Sequence, residues 1–283
     1  RHSVRRRGAS QTGAWILQLG ECCAADRVIR DMAQRRLMST AFCAEKAVCC
    51  AASRPADPDP LASAVRIVTG QGFALIPRGG GMSYTGGYTP DSEATVVVDT
   101  ADMTGAVAFD PADMTLSVRA GTTWESIYAF LKPHGLRLPF FGTFSGRRAT
   151  VGGGLSNGAV FFGSARYGCA ADNVIGLEVV CADGRILRTG QAASRNGKPF
   201  YRLHGPDLTG LFRHDCGALG IKTEATFRLI QDPAHQGHLS YAFDGAVSAA
   251  AALSATARSG AVEETYVFDP DTTKRNMDSG DLR

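Results

Sequence analysis

Between Lys46 and Lys132 the chain contains no lysine, and nowhere does it read Gly-x-x-x-x-Gly-Lys-Ser/Thr, which excludes a P-loop for nucleotide phosphates. It also lacks any run of about 18 apolar residues, the length at which a membrane-spanning helix becomes a candidate. The longest approach, Ala246 to Ala257, is alanine-rich but interrupted by serine and threonine, and reads as a soluble helix. Paired Cys-x-x-Cys spacing is absent as well. Of the 8 cysteines, Cys22, Cys23, Cys43, Cys49 and Cys50 precede residue 54, and Cys169, Cys181 and Cys216 follow it. That pattern argues against a zinc site or a redox dithiol, so no metal ligand is assigned, and the three later cysteines suit a reducing compartment.

Charge of one sign is scarce in the main body. Residues 1–53 hold 9 Lys and Arg against 4 Asp and Glu, whereas the remaining residues hold 21 against 23. No stripe of basic residues interleaved with aromatics appears there, so nucleic acid is disfavoured as a partner, while a specific anionic ligand remains open. The first 20 residues carry Arg1, Arg5, Arg6 and Arg7 and no acid, which weakly resembles an organelle transit peptide. The chain has no initiator Met, and the edge of a fragment or unrelated upstream sequence is the plainer reading. A cytoplasmic or membrane-peripheral location is expected, with organelle import as the alternative.

What the chain has in abundance is glycine, 33 against 12 Pro, gathered in short loops between apolar runs. The proline-rich stretch Arg54 to Pro60 marks a boundary, and residues 1–53 before it form an extension of uncertain structure. Leu61, Ala64, Val65 and Val68 recur at helical spacing. Phe73 to Pro77 and Thr95 to Asp99 read as buried strands, and 105–110 with 114–120 read as two strands about a turn. Thr122 and Glu125 have the spacing of a capping box. A first lobe over about 54–135 and a second over 136–231 are expected, the second with an Asp183-Gly184 hairpin and a half-buried strand alternating at Ile221, Thr223, Ala225, Phe227 and Leu229. After Pro233 another α+β unit begins.

The strongest local signal is the segment Pro77-Arg78-Gly79-Gly80-Gly81-Met82-Ser83-Tyr84-Thr85-Gly86-Gly87, which packs five glycines into ten residues after a buried strand. Residues without side chains can turn several successive N–H groups toward one point, a nest for phosphate or pyrophosphate that needs no lysine. Ser83 and Thr85 could add hydroxyl donors. The segment is not a Rossmann fingerprint, because it runs into Tyr88-Thr89-Pro90 instead of opening a helix. A second run, Thr150-Val151-Gly152-Gly153-Gly154-Leu155-Ser156-Asn157-Gly158, could face the same extended ligand; a glycine run that packs a helix closely is the alternative.

In order, the first loop, Val151 to Gly154, Arg166-Tyr167-Gly168, Val174 to Val180, Ala182 to Gly190, Gly205 to Phe212 and Gly217 to Thr226 resemble the PCMH-type FAD-binding domain of the vanillyl-alcohol oxidase / p-cresol methylhydroxylase superfamily. The likeness covers roughly residues 54–231 and is closest to the glycolate oxidase and D-lactate dehydrogenase branch. It implies an α+β fold: a two-lobed FAD-binding domain, then the truncated start of an α+β substrate domain over 232–283. It implies that Arg78, Gly79, Gly80, Gly81, Met82, Ser83, Gly86 and Gly87 wrap the FAD pyrophosphate. Thr150, Val151, Gly152, Gly153 and Ser156 would pass along the ribityl and isoalloxazine side, and Gly220 and Ile221 would contact the adenine end. Some members attach flavin through a histidine in the first loop; Met82 stands at that place, so FAD held non-covalently is expected.

The same resemblance implies an FAD-linked oxidoreductase acting on CH–OH groups, most closely a dehydrogenase of a D-2-hydroxy acid such as lactate or glycolate. A sugar or alcohol oxidase of the same fold, or a flavin-carrying subunit or fragment without turnover, are the alternatives. The partners implied are a small-molecule substrate, an electron acceptor of unspecified kind and further subunits. Substrate-handling residues of this family lie in the substrate domain and C-terminal tail, so none is assigned here. The chain departs from the branch at Arg213-His214-Asp215-Cys216. His214 reads as a cap or solvated residue at a helix end before it reads as catalytic, and Cys216 as a small packed residue.

Overall fold

The valine run Thr-Val-Val-Val-Asp shows how the chain builds its first layer. In the computed structural model, which describes residues 13–41, 46–140, 145–160 and 162–279, this run is the strand β4 (Thr95–Asp99), buried at every position. Before it come α1 (Ala14–Cys23), β1 (Val28–Ile29), α2 (Met32–Ser39), β2 (Ala51–Ser53), α3 (Pro58–Gly70) and β3 (Ala74–Arg78). The strands form a sheet of order β1-β2-β4-β3, in which β2 and β3 run parallel to β4 and β1 is antiparallel to β2. Successive side chains of a strand point to opposite faces. Val96 accordingly packs with Trp15, Leu19 and Ala64 of α1 and α3, whereas Val97 packs with Met38 of α2 on the other side. Helices on both faces explain why the run is uniformly apolar.

The second layer uses β5 (Ala106–Asp110), β6 (Thr115–Arg119), α4 (Trp124–Leu131), β7 (Leu136–Arg137), α5 (Val151–Asn157), α6 (Ser164–Tyr167), β8 (Val174–Val180), β9 (Ile186–Arg188), α7 (Leu208–Leu211), β10 (Ile221–Arg228) and β11 (Ile230–Gln231). Five of these strands make an antiparallel sheet of order β5-β6-β10-β8-β9, and β7 pairs with β11 apart from it. One face carries α4 and α5, where Trp124, Ile127, Leu131, Val151 and Leu155 meet Leu116, Leu177, Ala225 and Phe227. The other face meets α3 through Ile221 and Val180, packed with Leu61 and Val65. Helix α3 thus lies between the two sheets and joins the lobes.

Several expectations change at this level. The first sheet runs through the boundary expected after Ser53, since Ser53 pairs with Val98, and α1 packs on α3; the extension from residue 14 onward belongs to the first lobe. The arginine-rich start and Cys43 lie outside the described residues. The lobe division at 135 also moves. Strands β5 and β6 and helix α4 belong to the second sheet and its core, so the lobes divide near residue 105. Helix α4 is capped by Thr123, whose hydroxyl accepts from the Ser126 N–H at 3.3 Å, while Thr122 is buried against Gly105.

Strand β10 is not simply half-buried. Its register against β8 shifts between Lys222 and Glu224, which makes Thr223 an extra residue. Ile221 therefore faces α3, whereas Ala225 and Phe227 face α5, and the even alternation read from the sequence breaks at the bulge. Residues 232–279 contain α8 (Ala246–Arg258) and α9 (Pro270–Ser279) but no strand beyond β11 among the described residues, in contrast to the α+β unit expected there. A strand needs a neighbour to satisfy its main-chain groups, and Leu239, Tyr241 and Phe243 are exposed in this segment.

If the residues before 54 are integral, Trp15→Ala should destabilise the protein by about 3–5 kcal/mol in urea unfolding, as truncation of a large buried side chain does. A loss below about 1 kcal/mol would mean that α1 is an appendage.

Candidate functional site

Strand β3 is an edge strand, where Pro77 removes no ladder hydrogen bond, and it feeds straight into the first glycine loop. Arg78 anchors the entry. Its Nη1 donates to the carbonyls of Met38 and Thr40 at 3.3 and 3.1 Å, and its guanidinium carbon lies 4.8 Å from the centre of the Tyr88 ring. Burial pulls this guanidinium below its ordinary range. Tyr88 in turn donates from its hydroxyl to the Gly81 carbonyl at 2.8 Å. The loop is therefore pinned at its base and its turn, and Gly81 takes a left-handed φ of 69°.

Two glycines in this loop have a use besides conformational freedom. A methyl group at Gly80 would overlap the Arg148 carbonyl oxygen, and one at Gly79 would overlap the Thr150 hydroxyl. The loop of the first lobe lies backbone to backbone on the segment that opens α5 in the second. Among the described residues, the N–H groups of Gly79, Gly80, Gly81, Met82 and Ser83 have no protein acceptor. Successive unpaired amides beside a cleft are the nest inferred from the sequence. Ser83 and Thr85 do not stand free beside it: both hydroxyls donate to Asn157 Oδ1, at 3.1 and 3.0 Å, which ties the loop tip to the end of α5.

The second glycine run is helical, as the close-packing alternative had it. Gly154 lies so close to the Trp124 ring, and Gly152 to Ala120, that only a side-chain-free helix face fits there. Thr150 Oγ1 is buried without a hydrogen-bond partner on the cleft wall, and the Gly153 N–H also lacks an acceptor among the described residues. The third wall is the segment from His214 to Lys222. The N–H groups of His214 and Cys216 donate to the carbonyls of Leu155 and Ser156, closing the C-terminus of α5 at 3.0 and 2.9 Å. His214 therefore caps that helix through its main chain, and its ring Nε2 lies 3.7 Å from Cys169 Sγ. Cys216, expected to be packed, is exposed in the cleft.

Together these walls enclose a cleft of about 480 Å³, within the usual range for small-molecule sites. Of the residues singled out in the sequence, Arg78, Gly79, Gly80, Gly81, Met82, Ser83, Gly87, Thr150, Gly152, Gly153, Ser156, Gly220 and Ile221 line it. Gly86 and Val151 do not; Val151, the first residue of α5, is wholly buried in the core. The sequence reading missed Tyr88, Asn157, Val160 and Lys222, which also line the cleft. Lys222 follows directly on Ile221 in β10. Its Nζ pairs with Asp215 Oδ1 at 2.7 Å, both side chains being buried. Burial pulls this lysine below its ordinary range, and Asp215 partly restores it.

A two-lobed cradle built on bare amides, with an unpaired buried hydroxyl on its wall, is the arrangement of a dinucleotide-binding domain without lysine. Residues 51–190 match the family described as FAD binding domain and carry such a domain. It is 31% identical over 208 residues to "D-lactate dehydrogenase [cytochrome] 1, mitochondrial" of Saccharomyces cerevisiae, covering 73% of this chain and 34% of that protein. To "Glycolate oxidase subunit GlcD" of Bacillus subtilis it is 32% identical over 179 residues, covering 63% of this chain and 36% of that protein. The fold superposes on p-cresol methylhydroxylase with a TM-score of 0.71 at 20% identity, covering 81% of this chain and 45% of that one. The chain spans about a third of the length of these curated relatives.

The residues present fit FAD: the Gly79–Ser83 amides await an anionic acceptor, and Thr150 Oγ1 awaits any partner. Thr150→Val should therefore act in opposite directions on the two states. Removing an unsatisfied hydroxyl should leave the flavin-free protein as stable or about 1 kcal/mol more so, while FAD affinity in a fluorescence titration falls about tenfold. Gly80→Ala, which forces the lobes apart, should weaken FAD binding by about ten- to a hundredfold.

Proposed function

We propose that this chain is the flavin-holding part of an FAD-dependent oxidoreductase that dehydrogenates a D-2-hydroxy acid of the lactate or glycolate class. The observation that carries the cofactor reading is the row of amides from Gly79 to Ser83, unpaired among the described residues and lining the cleft where the loop lies against Thr150. The substrate class follows the D-lactate dehydrogenase and glycolate oxidase relatives. In this reading the Gly79–Ser83 amides hold the pyrophosphate, and Gly87 lets the chain pass close beside it. Thr150 to Gly153 with Ser156 flank the ribityl and isoalloxazine end, and Gly220 with Ile221 meet the adenine end. Bound FAD supplies the acceptor for a hydride equivalent from the substrate carbon.

Each lobe contributes a separate physical task. The first neutralises the pyrophosphate charge with main-chain dipoles, which needs no mobile side chain and costs no rotamer entropy. The second presents an apolar face, with Ala159 and Val160 on the wall, against which a flat ring can exclude water. Met82, packed against the second-lobe core, offers no nucleophile for a covalent bond, in line with FAD held non-covalently. Partner subunits are proposed because the Bacillus relative is itself named as a subunit, and an organelle location because the yeast relative is mitochondrial. No helix among the described residues is long and apolar enough to cross a membrane.

Two measurements test this. Acid precipitation of the yellow protein should release all of the flavin into the supernatant; flavin retained in the pellet would overturn the non-covalent reading. Anaerobic addition of D-lactate or glycolate to the whole protein should bleach the visible flavin absorption, whereas the L-lactate enantiomer should leave it. A flavin that neither acid reduces would sink the substrate class while leaving the cofactor in place.

A further inference from the structure

The turn from His214 to Gly217 is the most strained stretch of the cleft wall. His214 and Cys216 hold φ angles of 54° and 51°, and Gly217 one of 77°. Only the last is glycine, so the first two occupy a conformation that side chains resist and that the surroundings must enforce. The turn meets three parts of the site at once. It closes α5 through the two main-chain bonds to Leu155 and Ser156; Cys216 lies against Gly87 of the first loop; and Gly217 lies so close to Pro77 that a methyl group there would overlap the proline ring.

What holds the turn is buried beneath it. Asp215 Oδ1 accepts from Lys222 Nζ at 2.7 Å and from the Gly217 N–H at 2.9 Å, so one oxygen fixes both the strand and the bend of the turn. Asp215 Oδ2 is buried with no hydrogen-bond partner. An ion pair left incompletely satisfied in the interior adds little net stability, which makes conformational specificity the better account of its presence. Lys222 stands just before the bulge at Thr223 and lines the cleft, where it reaches the turn.

We propose that Asp215 and Lys222 are positioning residues for the dinucleotide. Their ion pair holds the His214–Gly217 turn in the register that presses it on Pro77 and Gly87, and so keeps the first glycine loop shaped for its ligand before the ligand arrives. The proposal rests on the reading of the cleft as an FAD site. Preorganisation of this kind acts on affinity: a loop that must be reordered on binding binds more weakly by the population of its competent state.

The test is the double variant Lys222→Met/Asp215→Asn in the full chain, which removes both charges and so strands neither. The dissociation constant for FAD should rise about tenfold or more, as expected for loss of a charged hydrogen-bonded pair. In the flavin-free protein, maleimide labelling of Cys216, mapped by peptide mass, should become at least severalfold faster as the turn is released. Unchanged FAD affinity together with unchanged labelling overturns the proposal, as does loss of affinity with labelling unchanged, since the pair would then act elsewhere. Faster labelling in a chain whose wild type takes up no FAD overturns the cofactor reading and leaves the turn's restraint standing. If that double variant does not fold, Asp215→Asn/Lys222→Gln, which also strands no charge and keeps an acceptor for the Gly217 N–H, is expected to show the same pair of changes at smaller size.

Discussion

Everything in this site depends on two main chains coming closer than side chains permit. Where the first glycine loop crosses the segment that opens α5, Gly79 and Gly80 lie directly on Thr150 and the Arg148 carbonyl. Remove that approach and the two lobes still fold, because each has its own sheet and its own core. The cleft between them, however, would open, and the amides that face it would face water instead. The glycines are thus used twice, once in the turn that aims the amides and once in the contact that brings the second wall within reach.

The arrangement leaves polar groups unsatisfied in a deliberate place. Buried main-chain and hydroxyl groups without partners are rare because each costs about 1–3 kcal/mol. Here the bare amides of Gly79 to Ser83, Thr150 Oγ1 and the Gly153 N–H gather around one cleft. Inside the second sheet, by contrast, the Ser117 and Thr226 hydroxyls bond each other at 2.7 Å, and Thr189 bonds Thr209 at the same distance, although isolated buried groups such as Ser53 Oγ and Trp124 Nε1 also lack a partner. A run of unmet main-chain groups along one cleft is what a binding site requires, since the ligand recovers what folding left unmade.

The electrostatics follow the same economy. Arg78 stands at the mouth of the nest yet directs its guanidinium to main-chain carbonyls and to Tyr88, and Lys222 is matched by Asp215. Neither cation is free to act as a phosphate clamp. Charge recognition falls to dipoles whose positions are set by backbone packing, which explains how a chain without a P-loop lysine can serve an anionic dinucleotide.

Much of this could be read from residues in a row. The strand before the first loop, the prolines that deny it a helix, and the valine run of β4 are matters of local sterics, and local rules reach them, although β3, read as buried, is an edge strand with Ala74 exposed and the rest half-buried. The order of the separate motifs carried the family as well. Other features depend on atoms far apart in the chain and had no local sign. Nothing near Gly80 announces that its neighbour is Arg148, and nothing near 106–131 says that these residues join a sheet completed more than fifty residues later. The bulge at Thr223, which puts Ile221 and Ala225 on opposite faces, exists only because β8 supplies the opposing register. Conformation of a short segment answers to its own side chains; which segments touch, and which face is buried, answers to the packing of the whole core, where one residue of slip exchanges inside for outside.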